Sequence, residues 1–133
     1  MTLTRVPPKL PTEMEAIVTR TIGCAIRVHK ALGPGFTEGI YRDALPMELM
    51  AEGLRWEREY RVSVMYRDQP IRHHYLDLVV DGFVVIELKA VDRLHPVHVA
   101  QILSYMKAGR FPIGLLMNFN APYLKGQLRR FVL

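Results

Sequence analysis

The sequence predicts an α/β domain built on one mixed sheet flanked by helices, and three observations carry that prediction. Apolar residues recur at three- and four-residue spacing as far as about residue 53, then at a spacing of two from about residue 60. Turn signals divide the second regime into a three-strand antiparallel meander. An apolar strand, a helix and another apolar strand then follow (Phe83–Ala90, 96–108 and Ile113–Phe119), a crossover unit that pairs its two strands in parallel with a right-handed connection. Helices must bury their apolar stripes against that sheet, so a layered α/β sandwich results.

Each element has a local cause. Residues 1–11 hold three prolines and read as an extended arm, leaving 12–133 as a single domain. Thr12-Glu13-Met14-Glu15 is a capping-box pattern, with Thr12 as N-cap and Glu15 reaching back. Behind it Met14, Ile17, Val18, Thr21, Ile22, Ala25, Val28, His29 and Leu32 form an amphipathic stripe over 13–32, ended by Gly33-Pro34-Gly35. A second helix starts near Phe36 and closes at Gly53; Pro46 lies inside it and is expected to kink it. Tyr60, Val62, Val64 and Tyr66 alternate with polar neighbours as a strand, Arg67-Asp68-Gln69-Pro70 turns the chain, and Ile71–Val80 is the next strand. Asp81-Gly82 is a strong hairpin signal before Phe83–Ala90. Pro96 opens a helix that Gly109 ends, and Gln127–Leu133 reads as a last strand.

Composition narrows the function classes. The 133 residues carry 18 Lys+Arg against 13 Asp+Glu, a net charge of +5, and half are hydrophobic, which excludes wholesale disorder. Residues 1–60 hold eight bases and eight acids, so the whole excess lies in residues 61–133 and favours an anionic partner, nucleic acid first. The longest uncharged stretch, Phe111–Leu124, is fourteen residues long and interrupted by Pro112, too short for a membrane-spanning helix. The N-terminus has no apolar export segment and Cys24 is the lone cysteine, so a cytoplasmic location is expected.

One constellation carries chemistry. Glu87 and Lys89 share a face of the strand Phe83–Ala90, and Asp77 lies on the strand before it. A two-residue Asp81-Gly82 loop would set Asp77 opposite Ile86, facing away from Glu87. A three-residue loop Val80-Asp81-Gly82 sets Asp77 opposite Val85 and diagonal to Glu87. The second register also gathers Leu76, Leu78, Val84, Ile86 and Leu88 on one apolar face, whereas a shift of one would bury Asp77 there, so the three-residue loop is expected. Two crowded carboxylates repel, and Mg²⁺ or Mn²⁺ would relieve them. A lysine alongside can orient a metal-bound water and stabilise a phosphoryl oxygen. Asp77, Glu87 and Lys89 are therefore the catalytic candidates for phosphodiester hydrolysis. Glu-x-Lys alone is common; the apolar strand, the hairpin-related Asp and the crossover helix give it weight.

Asp77 followed by Glu87-x-Lys89 on a hairpin resembles the PD-(D/E)XK nuclease superfamily. Gly35-Phe36-Thr37-Glu38-Gly39-Ile40-Tyr41 resembles the signature of the GxxExxY proteins within it. The resemblance extends from VHKALGPGFTEGIYRDAL, which begins at Val28, through YLDLVV, VVIELKAV and LHPVHVAQILSYMK to GLLMNFN. It implies a restriction-endonuclease-like fold with an αβββαβ core, in which Glu38 joins Asp77 and Glu87 as a metal ligand. It also implies that Gln101 and Tyr105, matching a Q-x-x-x-Y pattern, contact substrate. The proline usual before the first Asp is absent, with Leu76 in its place.

The function expected is a metal-dependent nuclease acting on DNA rather than RNA, with Mg²⁺ or Mn²⁺ as cofactor. So small a domain would select by structure, or gain specificity as a homodimer. The competing reading is a non-catalytic nucleic-acid or protein binding module on a nuclease scaffold. Other candidates are weaker. His73, His74, His95 and His98 lack the partners of a zinc site, although His98 shares the stripe of Gln101. Glu57 and Glu59 read as a solvated edge, Cys24 as a core thiol, and Trp56, Tyr60 and Tyr66 as core aromatics.

Overall fold

The computed structural model describes residues 10–133, so residues 1–9 of the expected arm lie outside the described residues. Helix α1 spans Thr12–Leu32 and α2 spans Glu38–Ala51. Strands β1 (Trp56–Tyr66), β2 (Gln69–Val80) and β3 (Val84–Lys89) follow, then α3 (Pro96–Gly109), β4 (Ile113–Asn118) and β5 (Leu128–Val132), the last preceded by a 3₁₀ turn at Lys125–Gln127. The sheet order is β1-β2-β3-β4-β5. Every neighbour is antiparallel except β3 and β4, whose parallel pairing is the one that the crossover through α3 requires. This is the mixed sheet with flanking helices that the sequence predicts.

The two faces of the sheet are covered differently. Val18, Ala25 and Val28 of α1, with Tyr41, Leu45 and Leu49 of α2, pack on Leu78, Val80, Val84, Ile86, Leu88 and Leu115. On the opposite face Ile102 and Met106 of α3 pack on Val62, Leu76, Val79, Val85 and Leu116. Gly114 on β4 lets α3 come close: a Cβ there would lie 2.6 Å from the Met106 sulfur and 3.0 Å from Ile102 Cδ1. Because β4 and β3 are covered on both sides, they begin as apolar runs, residues 84–86 and 113–117, before the polar Glu87 and Asn118.

Several boundaries differ from the sequence reading for physical reasons. Pro11, not Thr12, is the N-cap of α1, since its carbonyl accepts the Glu15 N–H at 3.0 Å. Proline offers no N–H for a capping box, so Glu15 Oε1 reaches one residue further back, to the Leu10 N–H at 3.1 Å. Helix α2 begins at Glu38 rather than near Phe36 and ends at Ala51, with the buried Pro46 inside it. Helix α3 includes Gly109, and Arg110 takes the left-handed position beyond it at φ 58°. A side chain at 109 would collide with the Phe111 ring, 2.3 Å from its Cβ, so the glycine is needed for space there. The turn between β1 and β2 is Arg67-Asp68, both at positive φ, with Gln69 and Pro70 already in the strand.

Candidate active site

The backbone ladder between β2 and β3 covers Val80–Val84, Val79–Val85 and Leu78–Ile86 and then stops. Continuing that register brings Asp77 level with Glu87. The expected register placed Asp77 opposite Val85, two residues away. The cause is the loop. Asp81 and Gly82 both adopt positive φ (51° and 75°) and the Phe83 N–H donates to the Val80 carbonyl at 3.1 Å, a tight Asp-Gly turn. Phe83, rather than Val80, is then the extra residue. The loop remains three residues long, parity is preserved, and Asp77 and Glu87 come together.

Where the ladder stops, the two carboxylates take over its hydrogen bonds. The Asp77 N–H donates to Glu87 Oε1 at 3.3 Å, and the Leu88 N–H donates to Asp77 Oδ2 at 2.9 Å. Each acid thus satisfies a backbone donor that the parting strands would leave without a partner. The pairing of β1 with β2 is also interrupted here, between Arg58–Leu78 and Tyr60–Leu76, and Glu59 has φ 50°. Across this irregularity Leu76 faces α3 while Leu78 faces α1 and α2, so the single apolar face expected to include Leu76 is divided.

Glu87 is buried, 7% exposed. Burial, and then the charge of Asp77, push its carboxyl up to about 8 against the opposing hydrogen bond from the Asp77 backbone and the charge of Lys89. Lys89, two residues on, makes no ion pair among the described residues. Its ammonium also contributes to lowering His74, where burial is the main cause and Asp77 opposes, and His98, where burial again leads. The Tyr105 hydroxyl is raised by burial and then by Glu87 and Asp77, and its ring stacks on His74 with centroids 3.8 Å apart. Tyr105 therefore faces the acids, whereas Gln101, one turn earlier, is exposed.

Glu38 is reached indirectly. Gly35 adopts φ 111°, and the buried Tyr41 donates from its hydroxyl to the Gly33 carbonyl at 2.6 Å while accepting the Phe36 N–H at 3.2 Å. Its ring stacks on Phe119 at 4.7 Å, so Gly35 and Tyr41 fix the entry into α2 where Glu38 begins. Glu38 Oε1 then accepts from Arg42 Nη2 at 2.6 Å, and Arg42 Nε donates to Asp77 Oδ1 at 3.1 Å. One guanidinium joins the helix acid to the strand acid. Arg42, Glu59, Tyr75, Leu76 and Asp77 line a cavity of about 350 Å³ at this point. A larger cavity, of about 560 Å³, opens at the hairpin end by Leu54, Trp56 and Gly82, away from the acids.

A family model described as the PD-(D/E)XK nuclease superfamily matches residues 15–131. The chain belongs to that superfamily. No curated protein and no solved structure matches it. Nucleases of the superfamily use divalent metal ions, and the residues here suit one: two adjacent acids, one buried and holding its proton unusually tightly, gain from a nearby dication. Among the described residues no three His, Cys, Asp or Glu side chains gather into a ready cage. That pattern fits an ion held by one or two carboxylates, water and substrate phosphate.

The structure also brings to this place two residues that the sequence did not put beside the acids, Arg42 and His74. Arg42 is four residues after Glu38, an i, i+4 acid–base pair that was available as a signal. His74 is near Asp77 only because of the register. His95 and His98 serve the start of α3, the His95 N–H donating to His98 Nδ1 at 3.0 Å, and His73 pairs with Ser63 Oγ at 3.1 Å. Cys24 is buried with its thiol raised chiefly by burial, as a core thiol should be. Tyr66 corrects an expectation: it is exposed, not a core aromatic. No helix among the described residues is long and apolar enough to cross a membrane.

Proposed function

We propose that this protein is a metal-dependent nuclease that hydrolyses phosphodiester bonds in DNA, selecting substrate by structure, in the manner of a GxxExxY protein. The reciprocal lock between Asp77 and Glu87, followed two residues later by an unpaired Lys89, is the observation that supports it most. In this reading Asp77 and Glu87 bind Mg²⁺ or Mn²⁺. The bound ion would acidify a water molecule and neutralise phosphate charge. Lys89 orients that water and takes or holds a proton at Nζ. Tyr105, backed by His74, and Gln101 at the more exposed end of the same stripe contact the substrate strand. Glu38 acts through Arg42, which it holds against Asp77.

The alternative, a non-catalytic binding module, has one observation in its favour: the Arg42 guanidinium already supplies Asp77 with a positive partner. The deciding experiment incubates plasmid, single-stranded, branched DNA and RNA with Mn²⁺ or Mg²⁺, comparing the wild type with Lys89→Ala. We expect metal-dependent cleavage of DNA that falls at least about 100-fold in a folded Lys89→Ala protein, as loss of a general acid–base group predicts. Equal cleavage by both proteins, or none on any substrate, overturns the nuclease reading.

A further inference from the structure

The arginines among the described residues divide into those that make ion pairs and those that make none. Arg20, Arg27, Arg42, Arg55 and Arg58 all make ion pairs with named acids, as does Arg130 with Glu15. Arg61, Arg67 and Arg72 make none among the described residues. All three lie on the ribbon formed by β1 and β2, where Asp68 is the single acid between Arg61 and Tyr75. Strand β3 meets β2 only at Leu78–Val80, so from Leu76 back to the turn the ribbon extends past the sheet. One of its faces rests on the α3 side, where Val62 is buried, Tyr60 meets Phe111 and His74 stacks on Tyr105. Among the described residues nothing covers the other face, where Arg61, His73 and Tyr75 are exposed.

That bare face carries the Arg61–Tyr75 and Ser63–His73 pairs, and the tip carries Tyr66 and Arg67. Tyr75 is 57% exposed and Tyr66 67% exposed. The stripe reaches one of the catalytic candidates, because Tyr75 lines the cavity that it shares with Arg42 and Asp77. From Arg61 to Arg67 it spans roughly 20 Å of strand. Unpaired guanidinium groups attract phosphates. Exposed phenol rings offer stacking platforms, which only unstacked bases can use, since in a duplex the base faces already cover one another.

We infer that the β1–β2 ribbon is a binding subsite for single-stranded nucleic acid, holding the strand that leads to the Asp77–Glu87 site. This deepens the nuclease reading and rests on it for the strand's destination, but strand binding itself needs no metal. The experiment is fluorescence anisotropy of a labelled 20-nucleotide oligothymidylate and a 20-base-pair duplex in EDTA, over a salt series. The wild type binds the oligothymidylate more tightly than the duplex. The variant Arg61→Gln/Tyr66→Ala/Arg67→Gln/Tyr75→Ala loses at least about tenfold in single-strand affinity, and its salt slope falls by about 1.4 for the two arginines removed. Should that variant melt early, Arg61→Gln/Arg67→Gln, altered only at exposed side chains, still shows the lower slope. Undiminished binding by a folded variant, or a wild-type preference for duplex, overturns the subsite. A wild type that binds oligothymidylate through the ribbon yet cuts nothing removes the nuclease reading and leaves the subsite. A wild type that cuts DNA while the ribbon variant binds and cuts equally well does the reverse.

Discussion

From Val80 to Leu78 the second strand exchanges backbone hydrogen bonds with the third; one residue further, at Asp77, it exchanges them with side chains. At the first end Val79 and Val85 face α3, and Leu78, Val80, Val84 and Ile86 face the other helices, all buried. At the second end a buried Glu87 and a partly exposed Asp77 hold the strands by their carboxylates. The difference shows how a sheet can open a polar site without losing its register. The zipped end fixes the two chains, and the acids substitute for the carbonyls that would have come next. The apolar packing lies at one end and the proposed chemistry at the other.

Three measurements sharpen or break that contrast. Ile86→Ala, at the zipped end, is expected to lower stability by about 3–4 kcal/mol in denaturant titration. It should leave the stabilisation produced by Mg²⁺ unchanged; a lost Mg²⁺ response would mean the two ends are not separable. At the acid end the effect is a pH dependence. The Glu87 carboxyl is raised from 4.5 to about 8 in the folded protein, so between those values the folded chain keeps a proton that the unfolded chain has released. Stability of the metal-free protein therefore falls as pH rises through that window, by a few kcal/mol. Glu87→Gln should flatten the curve, and a variant curve parallel to the wild type would show that Glu87 is not the group responsible. Smallest is the metal effect itself. Mg²⁺ at ten times its dissociation constant should stabilise the wild type by about 1.4 kcal/mol and Glu87→Ala much less. Equal shifts would place the ion elsewhere.

How much of this was legible in the sequence depended on whether a feature is periodic or geometric. The helices, the parallel crossover and the strand carrying Glu87 and Lys89 follow from spacing, and each formed where spacing put it. The meeting of Asp77 with Glu87 was legible by parity, since a three-residue loop keeps both on one face. Which residue became the extra one was not, because that depends on Asp81 accepting a left-handed conformation beside Gly82. The division of Leu76 from Leu78 accompanies the gap in β1–β2 pairing where Glu59 takes positive φ, and an acid gives no sequence sign of that. Arg42 was hidden for a different reason. Its pairing with Glu38 is local, but its reach to Asp77 spans 35 residues and exists only once α2 lies on the sheet. Tyr66 was misplaced because strand alternation does not reveal that the ribbon runs beyond the sheet.

Gly114 has an effect well beyond its own strand. With no side chain at that position, Ile102 and Met106 settle directly onto β4. Tyr105 sits between them on the same helix, so the depth at which the helix seats also sets how near its phenol comes to the acids. A methyl group at 114 would act as a shim beneath the helix, lifting Tyr105 with it while every proposed reacting residue kept its identity. The position of that phenol is thus governed from the floor below it, by a residue far from the proposed reacting groups.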